Sequence, residues 1–481
     1  MNLLTALRLS ETASKPIIAL TGAGGKSSLL FGLGSELAAA GRATLLTATT
    51  RLWADQANRA RFSLFSQHEP TLAFELPTSL RGYRQALVMA GPAREPGKLA
   101  GLDPALICRL AALDAVDAAV VEADGSRERP LKAPAAHEPL VPPCATHVVV
   151  VAGMAAVGRP LDEHTVHRPE RFAALAGLQP GELLTPQALA AVLAHPDGGR
   201  QGCPPGAIPL LYLNLALDGA TDAVDAQRRI AAARSIAGQV LSRPLPAFHA
   251  VLIGSAQADG PAERFGETFH PVNEAHSRTA AVVLAAGGST RLGKEAKQLL
   301  PWQPGGVLVG RAVEIALAAG AIDEVVVVTG HRAGEVQAAL ADRPVRAVFN
   351  PDWQSGQSSS VAAGLTALGP EVGAAVFVLA DQPTVQPATI DRLVQRHRET
   401  LAPVIAPVYQ GGQRGNPVLF DRRTFAELMA LTGDVGGRPV IERHSAEVQR
   451  VEIDAPLPLG IETLEDYRRF RPDPAKASTP C

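Results

Sequence analysis

The sequence predicts an α/β protein built from two domains. Its 481 residues exceed the length that a single hydrophobic core usually supports. Short apolar runs alternate with helical patterns from Pro16 to Gly254, which predicts a mostly parallel sheet covered by helices. Two apolar runs pass directly into glycine-rich turns followed by lysines, at residues 22–27 and at residues 287–297. Because such turns let backbone N–H groups approach an anion, both domains are predicted to bind phosphates.

The composition excludes several classes of partner. Hydrophobic residues make up 46% and charged residues 19% of the chain, and the formal net charge is −2. Without an overall basic field the chain is not expected to bind nucleic acid or an anionic membrane, and no apolar run approaches the roughly 20 residues that span a bilayer. The four cysteines, Cys108, Cys144, Cys203 and Cys481, lack C-x-x-C spacing. This argues against a zinc ribbon or a disulfide framework and suits a reducing compartment, so a cytoplasmic location is predicted.

The first glycine-rich turn predicts a nucleotide site. The stretch PIIALTGAGGKSSLL has the pattern of a strand, a turn and a helix, and its turn has the short form G-x-x-G-K-S rather than the standard P-loop spacing. Backbone amides would cradle the phosphates of ATP or GTP, Lys26 would reach the β- or γ-phosphate, and Ser27 would ligate Mg²⁺. A purely structural turn is the alternative. The nucleotide-binding residues predicted here are Gly22, Gly24, Gly25, Lys26 and Ser27.

Polar residues follow two later strands of the same predicted sheet. Strand Ala118–Val121 delivers Glu122 and Asp124, placed like the carboxylate that holds Mg²⁺ in P-loop proteins. Asp124 is the first choice as metal ligand and Glu122 the second. Strand Ala43–Ala48 runs into Thr49-Thr50-Arg51, which either line a ligand site or simply end the strand. Two interpretations of the charged, proline-rich segment ERPLKAPAAHEPL remain: it is a rigid connector, or it is part of the site.

Together, TGAGGKSSLL and VEADGSRERPLKAPAAHEPL resemble the YqeC-like family, described as accessory proteins for selenium-dependent molybdenum hydroxylases. The resemblance covers Leu4 to Gly254. It implies a nucleotide-dependent role in selenium-cofactor maturation, with an apo molybdenum hydroxylase as a partner. The predicted domains are residues 1–254 and 279–481. Residues 255–278 lack periodicity and are rich in small and polar residues, which predicts a linker.

The second glycine-rich turn opens the C-terminal domain. An apolar strand from Ala281 leads into Gly287 and Gly288, and Arg291 and Lys297 then supply positive charge for phosphates. A later apolar strand, Ala375–Leu379, delivers Asp381. An aspartate at the end of a buried strand is a natural Mg²⁺ ligand, because Mg²⁺ is usually held by one or two carboxylates plus substrate phosphates.

Five separated motifs resemble the molybdenum cofactor cytidylyltransferases of the MobA-like nucleotidyltransferase superfamily. They are LAAGGSTRLGKEAKQLL, NPDWQSGQSSS, LADQP, GGQRGNPVLF and GDVGGRPV, and the resemblance covers Thr279 to Arg469. It implies a Rossmann-like nucleotidyltransferase sheet with CTP and Mg²⁺ as cosubstrates. It also implies that the terminal phosphate of molybdopterin attacks the α-phosphate of CTP and releases pyrophosphate. The LAAG and RGNP segments resemble the cytidylyl branch more than the guanylyl branch.

The resemblance also implies a role for each matching residue. Lys297 would bind the α-phosphate, Arg291 the leaving pyrophosphate, and Asp381 the metal, and these three are the predicted catalytic residues. Glu462 stands where the family has a second metal-binding aspartate, and Asn416 stands where cytidylyl members have a histidine. The residues implied to bind base and triphosphate, besides Arg291, are Ala285, Gly287, Gly288 and Ser289.

The sequence leaves two alternatives to a bifunctional maturation enzyme. One is a nucleotidyltransferase with another base or acceptor, such as GTP or a sugar phosphate. The other is a non-catalytic cofactor carrier or chaperone for an apo-hydroxylase. Pyrophosphate release with CTP or GTP separates the two enzymes, and tight pterin binding without turnover would favour the carrier.

Overall fold

The computed structural model describes residues 1–9, 15–216, 220, 222–242, 246–256, 271–288, 296–303 and 306–471. The chain divides into two compact units, Met1–His276 and Ser277–Cys481. Both units are α/β with parallel-dominated sheets, which confirms the predicted fold class at this level. Among the described residues, no helix combines the length and the apolar character needed to cross a membrane.

The first unit contains twenty-one α-helices and strands within the described ranges. In chain order they are α1 (Leu3–Ala6), β1 (Ile17–Gly22), α2 (Lys26–Ala39), β2 (Thr44–Ala48), β3 (Leu52–Trp53), β4 (Ser63–Phe65), α3 (Glu69–Tyr83), β5 (Gln85–Met89), β6 (Gly91–Pro92), β7 (Lys98–Ala100), α4 (Pro104–Ala111), β8 (Ala118–Glu122), β9 (Leu131–Lys132), β10 (His147–Gly153), β11 (Val166–His167), α5 (Pro169–Ala176), α6 (Pro186–Ala194), β12 (Ile208–Asn214), α7 (Ala223–Leu241), β13 (Ala250–Gly254) and β14 (Glu274–His276).

A nine-stranded sheet forms the centre of the first unit, in the order β14-β13-β12-β10-β1-β8-β2-β5-β4. Every pairing is parallel except that of β14 with β13. The chain leaves β1 towards β2 on one side and returns to β10 on the other, so the strand order reverses at β1. In α/β sheets, ligands bind at the carboxyl ends of the strands beside such a reversal.

The second unit has fifteen described α-helices and strands. They are β15 (Arg278–Ala285), α8 (Leu308–Ala318), β16 (Glu324–Thr329), α9 (Ala333–Ala338), β17 (Arg346–Phe349), α10 (Gln357–Thr366), β18 (Val372–Leu379), α11 (Pro387–Thr400), β19 (Val404–Tyr409), β20 (Gln413–Arg414), β21 (Val418–Asp421), α12 (Phe425–Met429), α13 (Arg438–Arg443), β22 (Gln449–Glu452) and α14 (Leu464–Phe470).

Its sheet has the order β17-β16-β15-β18-β21-β19-β20, and β22 pairs in parallel with β19. Strands β17, β16, β15 and β18 are mutually parallel, whereas β21 is antiparallel to both of its neighbours. The strand order reverses at β15, which therefore has the same place in this sheet as β1 has in the first. Buried apolar side chains cover both faces of the sheet and fix its register.

Two expectations from the sequence need correction. Residues 274–276 fall in the predicted linker but form strand β14, because they pair with β13 at the edge of the first sheet. Cys108 and Cys144 form a disulfide, although their spacing of 36 residues gave no indication of one. The fold brings Cys108, within α4, close to Cys144, which lies three residues before β10, so that the two Cα atoms are 5.7 Å apart.

The tight packing of α10 on the sheet yields a first prediction. A Cβ atom at Gly364 would stand 2.5 Å from Cγ1 of Val282 in the central strand. We expect Gly364→Ala to lower the free energy of unfolding of this unit by about 1 to 3 kcal/mol, because a β-branched side chain in a strand has little room to move. Urea unfolding followed by the fluorescence of Trp302 and Trp353 measures it.

The matched control is Gly334→Ala in α9, where nothing lies within 4 Å of the added Cβ. Helix propensity alone should make this variant neutral or stabilise it by up to about 1 kcal/mol. Equal midpoints for the two variants would contradict close packing at Gly364.

Candidate functional site

The glycine-rich turn of the first unit lies between β1 and α2, at the reversal of strand order. Gly22, Gly24 and Gly25 have φ angles of +87°, +81° and +132°, which L side chains rarely adopt. A Cβ at Gly22 would also overlap the carbonyl oxygen of Val151, and one at Gly24 would lie 2.7 Å from the oxygen of Pro130. The glycines therefore let this backbone turn tightly against the next strand.

An asparagine at the end of β12 holds the turn from the side. The Asn214 Nδ2 donates to the Gly24 oxygen at 2.7 Å, and its Oδ1 accepts from the backbone N–H groups of Ala216 and Ala256 at 3.3 and 3.1 Å. With both ends of its amide bonded to the backbone, Asn214 holds the glycine-rich turn in place.

The lysine that begins α2 folds back over the turn. Lys26 is 4% exposed, and its Nζ donates to the Gly22 oxygen at 2.6 Å. The same atom lies 3.3 Å from Oδ1 of Asp124 and 4.0 Å from Oε1 of Glu122. Ser27 Oγ donates to Oε2 of Glu122 at 2.8 Å. The structure thus brings together Lys26, Ser27 and both predicted carboxylates.

The two carboxylates differ in their partners. Asp124 Oδ2 accepts from the Gly22 N–H at 3.1 Å and lies 2.9 Å from the Nζ of Lys132, so two lysines and a backbone amide surround this aspartate. Glu122 contacts Ser27 instead, and burial raises the pKa of its carboxyl, opposed by the nearby Lys26 charge and by the Ser27 hydrogen bond. Of the two, Glu122 is the carboxylate beside the predicted Mg²⁺-binding hydroxyl.

The proline-rich segment extends this charge network outward. Lys132 Nζ donates to Oε2 of Glu138 at 2.8 Å, and Arg168 donates to both oxygens of Glu138 at 3.0 and 2.9 Å. Burial alone would raise the pKa of Glu138, but these hydrogen bonds outweigh it and lower the pKa to about 2. The segment therefore supplies the second cation that neutralises Asp124, so it belongs to the structure of the site.

A cleft of about 610 Å³ opens at the carboxyl edge of the second sheet, beside β15 and β18. Six residues that the sequence predicted for this site line the cleft together: Ala285, Gly287, Gly288, Lys297, Asp381 and Glu462. Ser289 and Arg291, which were also predicted to bind triphosphate, lie outside the described residues.

An ion pair between the predicted catalytic residues spans this cleft. Lys297 Nζ donates to Oδ2 of Asp381 at 2.6 Å, and the two side chains are 24% and 26% exposed. Lys297 lies in a short 3-10 helix, Lys297–Leu299, whereas Asp381 follows the end of β18. The backbone N–H of Ile461 donates to the backbone carbonyl oxygen of Asp381 at 3.0 Å. This hydrogen bond places the segment that carries Glu462 beside the same aspartate.

Two further residues shape the cleft, and sequence reasoning did not single them out. Gln298 is 4% exposed, and its Nε2 lies 3.4, 3.3 and 3.4 Å from the carbonyl oxygens of Ala285, Gly287 and His331. Trp353 lies against the turn, where a Cβ at Gly288 would come within 2.8 Å of its ring. A polar residue inside the apolar run KQLL was the available clue to Gln298.

The serines in the first turn of α10 hydrogen-bond within the protein. Ser358 Oγ donates to the Gly433 oxygen at 2.7 Å, and Asn350 Nδ2 donates to Ser360 Oγ at 3.1 Å. The first N–H of the helix, from Gln357, donates to Oδ1 of Asp434 at 3.3 Å. The N-terminal end of α10 is therefore hydrogen-bonded to the loop before α13, and this loop closes one side of the cleft.

Comparison with known proteins assigns each unit to a family. Residues 18–170 match the family model of the YqeC protein, and residues 281–448 match that of the MobA-like NTP transferase domain. The chain belongs to both families. Its second unit is a nucleotidyltransferase domain, and the predicted fusion of a YqeC unit with a MobA-like unit is confirmed.

Individual relatives show the extent of this similarity. The uncharacterized protein YqeC of Escherichia coli is 33% identical over 198 residues, covering 41% of this chain and 75% of that protein. The nicotine blue oxidoreductase of Paenarthrobacter nicotinovorans is 33% identical over 197 residues, covering 39% and 94%. The crystal structure of Rv0371c from Mycobacterium tuberculosis is 33% identical, covers 40% of this chain and 96% of its own, and has a TM-score of 0.37.

The Glu138 network of the YqeC unit gives a pH-dependent prediction. A carboxyl whose folded pKa is about 2, below its ordinary value of 4.5, contributes stability that is present above pH 4.5 and is lost as the pH falls towards 2. We expect Glu138→Gln to lower the free energy of unfolding by up to about 3 kcal/mol near neutral pH. The difference from wild type should shrink between pH 4.5 and 2, as measured by urea unfolding at each pH.

Glu163→Gln changes an exposed carboxylate nearby and serves as the control. Its difference from wild type should stay small at every pH. A Glu138→Gln difference that is constant with pH would contradict the network.

Proposed function

We propose that the MobA-like unit transfers CMP from CTP to the terminal phosphate of molybdopterin and releases pyrophosphate. We further propose that the YqeC unit binds ATP or GTP during maturation of a molybdenum hydroxylase. The Lys297–Asp381 pair, with Glu462 in the same cleft as the glycine turn, is the observation that carries the transferase proposal.

The charges of the cleft suit phosphoryl chemistry. An oxygen of the acceptor phosphate forms a bond to the α-phosphorus, while the bond from that phosphorus to the bridging oxygen breaks and pyrophosphate leaves with that oxygen. Lys297 would neutralise negative charge that builds at the α-phosphate, and Arg291 would hold the departing pyrophosphate. Because the attacking group is itself a phosphate, the protein mainly positions the two reactants in line.

The donor set of the cleft fits Mg²⁺. Asp381 and Glu462 line one cleft, and Mg²⁺ is usually held by one or two carboxylates together with substrate phosphates. Within the part of the chain that the structure describes, no group of three or more histidine, cysteine or acidic side chains could hold a metal. The remaining ligands would therefore come from CTP and water. When bound, Mg²⁺ would neutralise triphosphate oxygens.

The relatives bear names of different reactions, so the acceptor must be argued from the site. Nicotine blue oxidoreductase is named for a redox reaction, whereas GlmU proteins, matched over about a quarter of their length, are called bifunctional. A lysine paired with a carboxylate beside a glycine turn supports transfer of a nucleotidyl group. The choice of CTP over GTP rests on the LAAG and RGNP segments, and Asn416 is the position where this chain departs from the cytidylyl pattern.

In the YqeC unit, the turn geometry and its partners support a P-loop role. Lys26 begins α2 behind three glycines of positive φ, and Ser27 bonds to Glu122. We assign Glu122 with Ser27 to Mg²⁺, and we assign Asp124 to the counter-charge of Lys26 and Lys132. A nucleotide phosphate would compete with Asp124 for Lys26. A role in selenium-cofactor maturation rests on the family resemblance, and a cytoplasmic location remains a prediction.

Removing the cleft aspartate tests the transferase proposal. We expect Asp381→Ala to lower CMP transfer at least about 10²- to 10³-fold, because it removes both the metal ligand and the partner of Lys297. Pyrophosphate release with CTP and molybdopterin measures it, and GTP replaces CTP in a parallel assay. The fold should persist because the side chain is a quarter exposed.

Asp454→Ala, at an exposed aspartate of the same unit, is the matched control. Full activity of Asp381→Ala would overturn the metal assignment. Faster pyrophosphate release with GTP than with CTP would overturn the assignment of cytidine.

Changing the first turn tests the nucleotide site of the YqeC unit. We expect Ser27→Ala to weaken Mg²⁺-dependent binding of ATP or GTP about tenfold, because one contact to a charged centre is lost while the Lys26–Asp124 pair remains. Lys26→Ala should weaken binding further. Titration calorimetry on the full chain measures both variants, and CMP transfer by the other unit should be unchanged. Unaltered nucleotide affinity in Lys26→Ala would exclude a P-loop.

A further inference from the structure

A second, mainly apolar pocket of about 280 Å³ adjoins the cleft of the MobA-like unit. Leu284, Gln357 and Leu379 line both the pocket and the cleft, so the two spaces are neighbours around these side chains. None of the predicted phosphate or metal residues lines it. The remaining lining residues are Val361, Phe377, Asn416, Val418, Phe420, Leu428, Gly436, Gly437, Arg438 and Ile441.

The walls of this pocket are apolar and aromatic. Phe377 and Phe420 project from the antiparallel strands β18 and β21, with their ring centroids 5.8 Å apart at 77°. Among the described lining residues there is no carboxylate, and the polar groups are two amides, from Gln357 and Asn416, and the guanidinium of Arg438. Such walls offer flat surface for a ring and only a few polar groups to orient it.

Two glycines bring the chain close to these walls. A Cβ at Gly437 would overlap the ring of Phe420, and one at Gly436 would lie 3.1 Å from Oε1 of Gln357. The absence of side chains at this point keeps the space between Phe420 and Gln357 open. Because Gly436 does not have a positive φ, a larger residue there would occupy pocket space without straining the backbone.

We propose that this pocket holds the ring body of the acceptor, an uncharged planar heterocycle of two or three fused rings, while the phosphate of that acceptor reaches the adjoining cleft. The proposal rests on the transferase function proposed above and names where its acceptor binds. The volume lies near the lower limit of ligand pockets, roughly 300 Å³, which suits a compact ring system.

The walls disfavour a sugar phosphate, which is the other acceptor class. Each sugar hydroxyl buried without a hydrogen-bond partner costs about 1 to 3 kcal/mol. A sugar ring carries hydroxyls around its whole perimeter and would place some of them against the apolar walls, whereas a fused heterocycle keeps its polar groups in the ring plane and presents two flat faces to Phe377 and Phe420. Charge and shape therefore favour the heterocycle.

Gly436→Leu in the full chain tests the proposal, with Gly320→Leu as the matched control. Gly320 is exposed, has no atom within 4 Å of an added Cβ, and lies away from both spaces. We expect Gly436→Leu to raise KM for molybdopterin about tenfold or more, which corresponds to about 1.4 kcal/mol of lost binding, with KM for CTP within about twofold of wild type. Gly320→Leu should change neither.

Binding of a ring fragment separates failure of this site from failure of the transferase. Fluorescence titration with 6-hydroxymethylpterin requires no turnover, so it tests the pocket even if CTP is not a substrate. Binding by wild type and its loss in Gly436→Leu would support the pocket.

Three results would overturn the assignment. They are an unchanged KM for molybdopterin together with retained ring binding, a rise in KM for CTP instead, and use of N-acetylglucosamine 1-phosphate in preference to molybdopterin.

Discussion

The glycine turn that follows the central strand of each sheet is the feature on which both candidate sites depend. In each sheet the strand order reverses at one central strand, β1 or β15, and the chain leaves that strand through glycines. Side chains at Gly22 or Gly24 would collide with backbone oxygens, so the turn can pack against the next strand only without them. Asn214 and Gln298 then hold the two turns in place through carbonyl oxygens. Polar groups brought to one edge in this way can converge on a phosphate.

Each unit also sets a lysine after its turn against an aspartate after an adjacent strand, but the two pairs differ in burial. Lys26 and Asp124 are 4% and 1% exposed, so their desolvation must be offset by further charges, which Lys132 and Glu138 supply. The Lys297–Asp381 pair is about a quarter exposed and keeps part of its hydration. Opening the second pair for a substrate is therefore less costly, which suits a site that must exchange ligands in every turnover.

The sequence predicted what depends on local pattern. The glycine turns and the strands that deliver Asp124 and Asp381 followed from apolar runs and their polar ends. The expectation that Lys297 and Glu462 share one site came from the family resemblance, and both line the same cleft. Contacts between distant segments could not be predicted in this way. The Cys108–Cys144 bond, the edge strand β14 and the preference of Ser27 for Glu122 each depend on how segments meet in space. Hydrophobic periodicity does not show which distant segments of the chain come into contact.

The segment around Glu462 shows how the fold can reduce the importance of a sequence departure. Glutamate in place of aspartate puts the carboxylate one methylene farther from the backbone, which in isolation weakens the case for metal binding. The backbone N–H of Ile461, however, bonds to the carbonyl of Asp381, and Thr463 and Asp466 form a capping box that fixes the chain directly after it. Glu462 is thus anchored on both sides and lines the cleft with Asp381. Since backbone anchors set its approach, a longer side chain can still present a carboxylate to the same space.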